Sequence, residues 1–148
     1  MYVYRGSYVQ HMTYSQRWSL DESKINWGML TQAQREWNEV KQYFYNDFYV
    51  LTPFRSVTDS SNWTAYMYFD GDKDSGVLQA FRLPDCKDST YKVNVKGVNP
   101  DNYYTLRDLD GVNSATHVKG SDLINGYTLS AENPRTAIVM FIDSENRD

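Results

Sequence analysis

Trp63-Thr64-Ala65-Tyr66-Met67-Tyr68-Phe69 and Val77-Leu78-Gln79-Ala80-Phe81-Arg82-Leu83 are two strand-length runs rich in aromatic and aliphatic residues. Between them lies Asp70-Gly71-Asp72-Lys73-Asp74-Ser75-Gly76, a polar, glycine-bearing spacer suited to the turn of a hairpin. Further along, Tyr91-Lys92-Val93-Asn94-Val95-Lys96 alternates polar and apolar, the signature of a half-buried strand. Asn99-Pro100-Asp101-Asn102 reads as a turn, because Pro presets φ and Asn or Asp side chains cap the bend. Tyr103 to Arg107, then Tyr127 to Ser130 after a turn at Asn125-Gly126, continue the pattern, with a further turn at Asp110-Gly111. Arg135-Thr136-Ala137-Ile138-Val139-Met140-Phe141-Ile142 closes it and reads as the most buried strand. Short strands at regular spacing predict a mainly β fold, an antiparallel sandwich or barrel.

Before residue 45 the period is helical. Leu30, Ala33, Trp37, Val40 and Phe44 recur at three- and four-residue steps, one face of a helix. Thr31 with Gln34 three residues later reads as its capping box. Ser19 to Asn26 reads as a polar connector, and Met1 to Trp18 has no clean period. The expected division is a helical lead-in over 1–45 and an antiparallel sandwich over 46–148. One amphipathic helix cannot enclose a core, so its apolar face must rest on the sandwich or on a missing partner. A chain cut from inside a larger domain would have this form.

The chain has 148 residues, 41% hydrophobic and 16% aromatic, enough apolar surface to argue against disorder. Its net charge of −4 gives nucleic acid or an anionic membrane no attraction. No apolar run approaches the roughly 20 residues of a membrane-spanning helix. Met1 to Ser7 lacks the basic and apolar regions of a secretory signal, so the expected location is cytoplasmic. Cys86 is the single cysteine and has no partner for a disulfide or a structural zinc site.

Chemistry-bearing motifs are few. Asp70, Asp72 and Asp74 alternate like the first ligands of a calcium loop, but Gly76 falls one place late and Phe81 stands where a bidentate Glu is needed. An acidic hairpin tip is the plainer reading. Asp108 and Asp110 share one side of a strand end, as an acid/base pair would, yet they flank a turn and read as solvated. Nucleophile elbows, glycine-rich phosphate loops and Cys-His pairs are absent, and His11 and His117 stand apart. No catalytic residue, metal or cofactor is expected. Trp63, Tyr66, Tyr68 and Phe81 admit both core packing and sugar stacking, with alternation in strands favouring packing.

Several segments in order resemble glycoside hydrolase family 36, the α-galactosidases. Tyr43-Phe44-Tyr45-Asn46-Asp47-Phe48-Tyr49-Val50-Leu51-Thr52-Pro53-Phe54 resembles the stretch joining the family's barrel to its C-terminal domain. Trp63-Thr64-Ala65-Tyr66, Gly76-Val77 and Ala80-Phe81-Arg82 are similar to its Trp-x-Ala-x-Gln, Gly-x-Val and Ala-Phe-Arg-Arg motifs. Gly97-Val98-Asn99-Pro100-Asp101, Tyr104 to Asp110, and Leu123, Gly126, Leu129 and Pro134 to Ala137 resemble its later segments. Tyr4-Arg5-Gly6-Ser7 resembles the barrel's end, more weakly. Asn46, Val50, Met67 and Leu83 depart from the family's Gly, Pro, Gln and second Arg.

The resemblance implies a Greek-key-like antiparallel β-sandwich preceded by the last helical part of a (β/α)8 barrel. It implies a parent enzyme that hydrolyses terminal α-galactosides with retention, through two barrel aspartates. Neither aspartate motif occurs in this chain, so no catalytic residue carries over and the chain itself is expected to be inactive. The family-motif positions Asp47, Tyr49, Trp63, Phe81 and Arg82 then take structural roles: Asp47 and Tyr49 at the junction, Trp63 and Phe81 in the sandwich core, Arg82 against a carboxylate. The implied partner is the catalytic barrel. An oligosaccharide and a second copy of the chain stay open as partners, as do a free-standing carbohydrate-binding module and a purely structural module.

Overall fold

The computed structural model describes residues 1–10, 22–56 and 58–146. Its centre is the hairpin of β2 (Trp63–Asp70) and β3 (Ser75–Arg82), paired antiparallel from Trp63↔Arg82 to Asp70↔Ser75. The side chain of Asp74, at φ +48°, accepts hydrogen bonds from the Tyr104 hydroxyl at 2.6 Å and the Asn102 amide at 2.7 Å. The tip is therefore anchored to the next layer of structure rather than left in solvent. Gly76 is needed because a Cβ there would sit 2.6 Å from the Tyr68 carbonyl oxygen.

Around this hairpin, β1 (Asp47–Val50), β5 (Tyr103–Asp108), β6 (Ala115–Lys119) and β8 (Thr136–Ser144) complete a six-stranded antiparallel sheet ordered β1-β2-β3-β8-β5-β6. The segments β4 (Thr90–Val93) and β7 (Tyr127–Ser130) form a second, two-stranded sheet, and a short helix α3 (Gly120–Gly126) leads from β6 into β7. The chain changes sheets after β3, β4, β6 and β7, and β8 returns between β3 and β5. The result is a Greek-key-like antiparallel β-sandwich.

Strand alternation divides the large sheet into two faces. Trp63, Ala65, Met67 and Phe69 of β2 turn inward with Leu78 and Ala80 of β3 and Ile138, Met140 and Ile142 of β8. They pack with Val93, Leu123 and Leu129 of the smaller layer. The opposite face carries Val77, Val139 and Phe141, covered by Tyr8, Ala33, Val40, Tyr43 and Phe44. All eight residues of β3 are buried, against a partial pattern in β8. The expectation that the last strand would be the most buried is thus corrected: β3 is covered on both faces along its whole length.

The covering layer comprises α1 (Tyr2–Arg5), α2 (Trp27–Val40) and the residues just after each, Tyr8 and Tyr43–Phe44. The apolar face of α2 rests on the chain's own sheet, which resolves the alternative left open by its sequence. Its N-cap is Asn26, whose side chain accepts from the Met29 N–H at 3.0 Å, so Thr31 and Gln34 lie inside the helix and form no capping box. The apolar period begins one turn late because the first turn, Trp27 and Gly28, is exposed. Buried on the same face, Glu36 accepts two hydrogen bonds from Arg5, at 2.9 and 3.0 Å, and one from the Tyr8 hydroxyl at 2.9 Å. This charged cluster fastens α1 to α2. No helix among the described residues is long and apolar enough to cross a membrane.

Candidate functional site

Two loops meet at one end of the sandwich. The segment before β2 and the segment after β3 are joined by backbone hydrogen bonds, Leu83 N–H to Asn62 O at 3.1 Å and Asp85 N–H to Ser60 O at 2.9 Å, and by the Ser60 hydroxyl on the Asp85 carboxylate. Arg82 fixes the second loop from beneath. Its guanidinium donates to the carbonyls of Cys86 (2.9 Å), Lys87 (3.2 Å), Ala131 (2.9 Å) and Glu132 (2.7 Å). The carboxylate partner expected for Arg82 is therefore absent among the described residues, and carbonyls take its place. Loop carbonyls without ladder partners need donors when buried, and the planar guanidinium supplies several in fixed geometry.

Between these loops is a cavity of about 220 Å³ lined by Pro53, Arg55, Asn62, Trp63, Cys86, Asp88 and Tyr91. The Trp63 and Tyr91 rings stack at 6.1 Å and 20°. Trp63 is buried, and its indole N–H donates to the Asp88 carbonyl at 2.9 Å, so the ring offers the cavity only apolar surface. A second, more open depression of about 380 Å³ lies beside the β2–β3 turn, lined by Tyr45, Asn46, Asp47, Phe69 and Asp70 to Asp72. Its Asp70 carboxylate is held below the ordinary range by the hydrogen bond from Lys73.

The other sequence-predicted positions separate. Asp47 and Tyr49 lie on the edge strand β1, with the Tyr49 hydroxyl 3.3 Å from the Asp47 carboxylate. Phe81 is buried on the outer face of the large sheet, between the rings of Tyr2 and Tyr66, each at 6.0 Å. Its expected place between the sheets is corrected, and the reason is parity: with Leu78 and Ala80 inward, Val77, Gln79 and Phe81 must turn outward. Tyr66 and Tyr68 share that outer face with Phe48 of β1, whose ring lies 5.9 and 5.0 Å from theirs. Burial pushes the Tyr66 hydroxyl up to about 12, with Tyr68 adding to the effect.

Of the two turn aspartates, Asp110 is exposed as expected, whereas Asp108 is not solvated. Asp108 is buried and accepts from the backbone and side-chain amide of Asn113, at 3.0 and 2.8 Å, while Asp110 pairs with Arg5. Both carboxylates are consumed by structural bonds. His117, at φ +56°, stacks on Tyr103 at 4.0 Å and places Nδ1 2.9 Å from Glu145. His11 lies outside the described residues. Among the described residues no three His, Cys, Asp or Glu side chains are grouped to hold a metal ion.

The cleft was invisible to sequence reading because its seven lining residues are spread from Pro53 to Tyr91 and no one motif joins them. Trp63, Cys86 and Tyr91 were each read, but as strand residues or a lone thiol rather than as one cavity wall. Phe48, 53% exposed, and Val50, 63% exposed, were likewise missed as an apolar edge, since four residues are too few to show a period.

No protein-family model and no curated protein sequence matches the chain. Solved structures do. The α-galactosidase AgaB from Geobacillus stearothermophilus, of glycoside hydrolase family 36, is similar with a TM-score of 0.64 at 18% identity, over 84% of this chain and 17% of the enzyme. The α-galactosidase from Lactobacillus brevis gives 0.60 at 17% identity, over 88% and 18%. AgaA A355E D478A from Geobacillus stearothermophilus, solved with stachyose, gives 0.63 at 17% identity, over 92% and 21%. At this identity the likeness establishes a common fold, and the chain spans about a fifth of the length of these enzymes.

Proposed function

We propose that this chain is a non-catalytic C-terminal β-sandwich module of an α-galactosidase-like glycoside hydrolase. One observation carries the reading: nearly the whole chain superposes on a small fraction of enzymes whose remaining length has no counterpart in it. The ordered resemblance from Tyr43 to Ala137 supports the same family. In this reading residues 1–45 are the closing helical part of a catalytic barrel, and residues 46–148 are the accessory domain. The barrel supplies the carboxylates that release terminal α-galactose, and the module caps and stiffens it. The exposed edge of β1, with Phe48, Val50 and nearby Phe54, is the face offered to the barrel.

The test is the mass of the native protein in its source cells, by immunoblot and peptide mapping. A species several times larger than 148 residues, with barrel peptides preceding Met1, supports the reading. A native chain of 148 residues overturns it. Hydrolysis of an aryl α-galactoside by the isolated chain would contradict it independently.

A further inference from the structure

We infer that β1 is a dimerisation edge, on which a second copy of this chain lays its own β1 antiparallel to make one continuous sheet. The backbone fixes which groups face outward. Leu51 donates its N–H to the Ala65 carbonyl at 2.9 Å, so in the register from Asp47↔Phe69 to Val50↔Tyr66 the residues bonded to β2 are Asp47 and Tyr49. The N–H and C=O groups of Phe48 and Val50 therefore point out of the sheet, and no described residue bonds to them. Their side chains are exposed as well. The opposite edge is defended against pairing. There β6 has a register shift against β5 between Tyr104 and Leu106, a left-handed residue at His117 and an exposed Lys119. Strand β1 has no lysine, proline or register shift.

This edge is complementary to itself. With Phe48 opposite Val50 of the copy, and Val50 opposite its Phe48, every outward backbone group is used, each pair exchanging two hydrogen bonds. The two-fold axis then passes between the two Tyr49 residues. Phe48 meets the copy's Val50 on the outer face, an aromatic and β-branched pair made twice, which removes exposed apolar side chains from water. Charge selects the direction. Asp47, Asp70 and Asp72 line one depression at the start of β1, while the half-exposed Arg55 follows its end. Antiparallel pairing sets the two acidic depressions at opposite ends of the joined sheet, each on the side of the copy's Arg55. Parallel pairing would set them side by side, where they repel. The contact is isologous and closes at two copies, because the defended β6 edges do not extend the sheet further. The barrel and a second copy compete for the same edge, so the inference concerns the chain with no barrel on it and does not rest on the accessory role.

The experiment is sedimentation equilibrium of the 148-residue chain from about 10 µM to 1 mM, with amide hydrogen exchange followed at both ends of that range. The expected result is a monomer–dimer equilibrium with no larger species, in which the Phe48 and Val50 amides exchange about tenfold or more slowly in the dimer. Val50→Pro removes an outward N–H and no bond to β2, and Val50→Lys installs the charge typical of a defended edge. Each should weaken dimerisation about tenfold or more while keeping the parent's thermal midpoint. If either variant loses its fold, the parent's mass and exchange rates decide by themselves. The inference is overturned if the chain sediments as a monomer throughout, if larger species form, if the two amides exchange alike at both concentrations, or if both variants dimerise as the parent does. Protection of these amides in a barrel-bearing native protein, with no dimer of this chain, would assign the edge to the barrel and overturn it too. A failure here leaves the native-mass test untouched, and the reverse holds equally.

Discussion

Arg5 and Asp110, 105 residues apart in the chain, are joined by a two-pronged contact in which the Arg5 guanidinium donates to both Asp110 oxygens, at 2.5 and 2.8 Å. The same guanidinium binds Glu36 of α2 and the Ala137 carbonyl of β8 at 2.7 Å. One buried cation thus ties α1 to α2, to the turn after β5 and to the central strand β8. Helical layer and sandwich are locked together by charge as well as by apolar packing.

Arg5→Met should destabilise the chain by roughly 3–5 kcal/mol, since it leaves the buried Glu36 carboxylate without its cation. The urea unfolding midpoint at neutral pH measures this. A loss below about 1 kcal/mol would show that the cluster adds little to stability.

The cluster also sets an acid limit. The hydrogen bond from Arg5 is the main reason the Asp110 carboxyl lies below its ordinary range. For Glu36 burial is the largest influence and acts in the raising direction, but hydrogen bonds from Arg5, Gln32 and Tyr8 together with the Arg5 charge overcome it and hold the carboxyl low. In acid the unfolded chain therefore takes up protons before the folded one does. The stability from this pair is complete above about pH 4 to 4.5 and is lost as pH falls through the lowered folded values. Asp110→Asn should be less stable than the parent at neutral pH and should lose less stability on acidification. Unfolding curves at neutral pH and near pH 3 compare the two directly, and parallel losses would refute the assignment.

Trp63 fills the end of the sandwich core and holds the loop at Asp88. Trp63→Ala should cost about 3–5 kcal/mol through the cavity it leaves, read as a lowered denaturation midpoint. A cost below about 1 kcal/mol would mean that the ring is not part of the packed core.

Gln79, fully buried on the outer face of β3, has no hydrogen-bond partner among the described residues for either its side-chain nitrogen or its oxygen. Both groups are desolvated without compensation. Gln79→Leu should therefore raise stability by about 1 kcal/mol, seen as a higher thermal midpoint. A lower midpoint would reveal that the amide is satisfied in solution, for instance by an internal water.

Local pattern was enough for the β2–β3 hairpin, for β5, β7 and β8, for the body of α2 and for the sandwich class. In each, consecutive residues meet one environment per face, so the period of the side chains reports the burial. The order of family-like segments also pointed to the enzymes whose structures share this fold. Tertiary structure alone decided the rest. Strands β1 and β6 and helix α3 are too short for a period to emerge, and their partners hold them in place. Whether Phe81 faces the sandwich or the helices depends on which parity of β3 the second sheet covers, a choice made by β4 and β7. The solvated reading failed for Asp108, which is buried, because a turn residue is judged by its neighbours in sequence while Asn113 reaches it through space; Asp110 is exposed as read, and its pairing with Arg5 was out of sight for the same reason. The Arg5 cluster and the Trp63–Tyr91 cleft share that origin: each gathers side chains from distant segments, and only folding, by burying them, gives their charges and rings a common site.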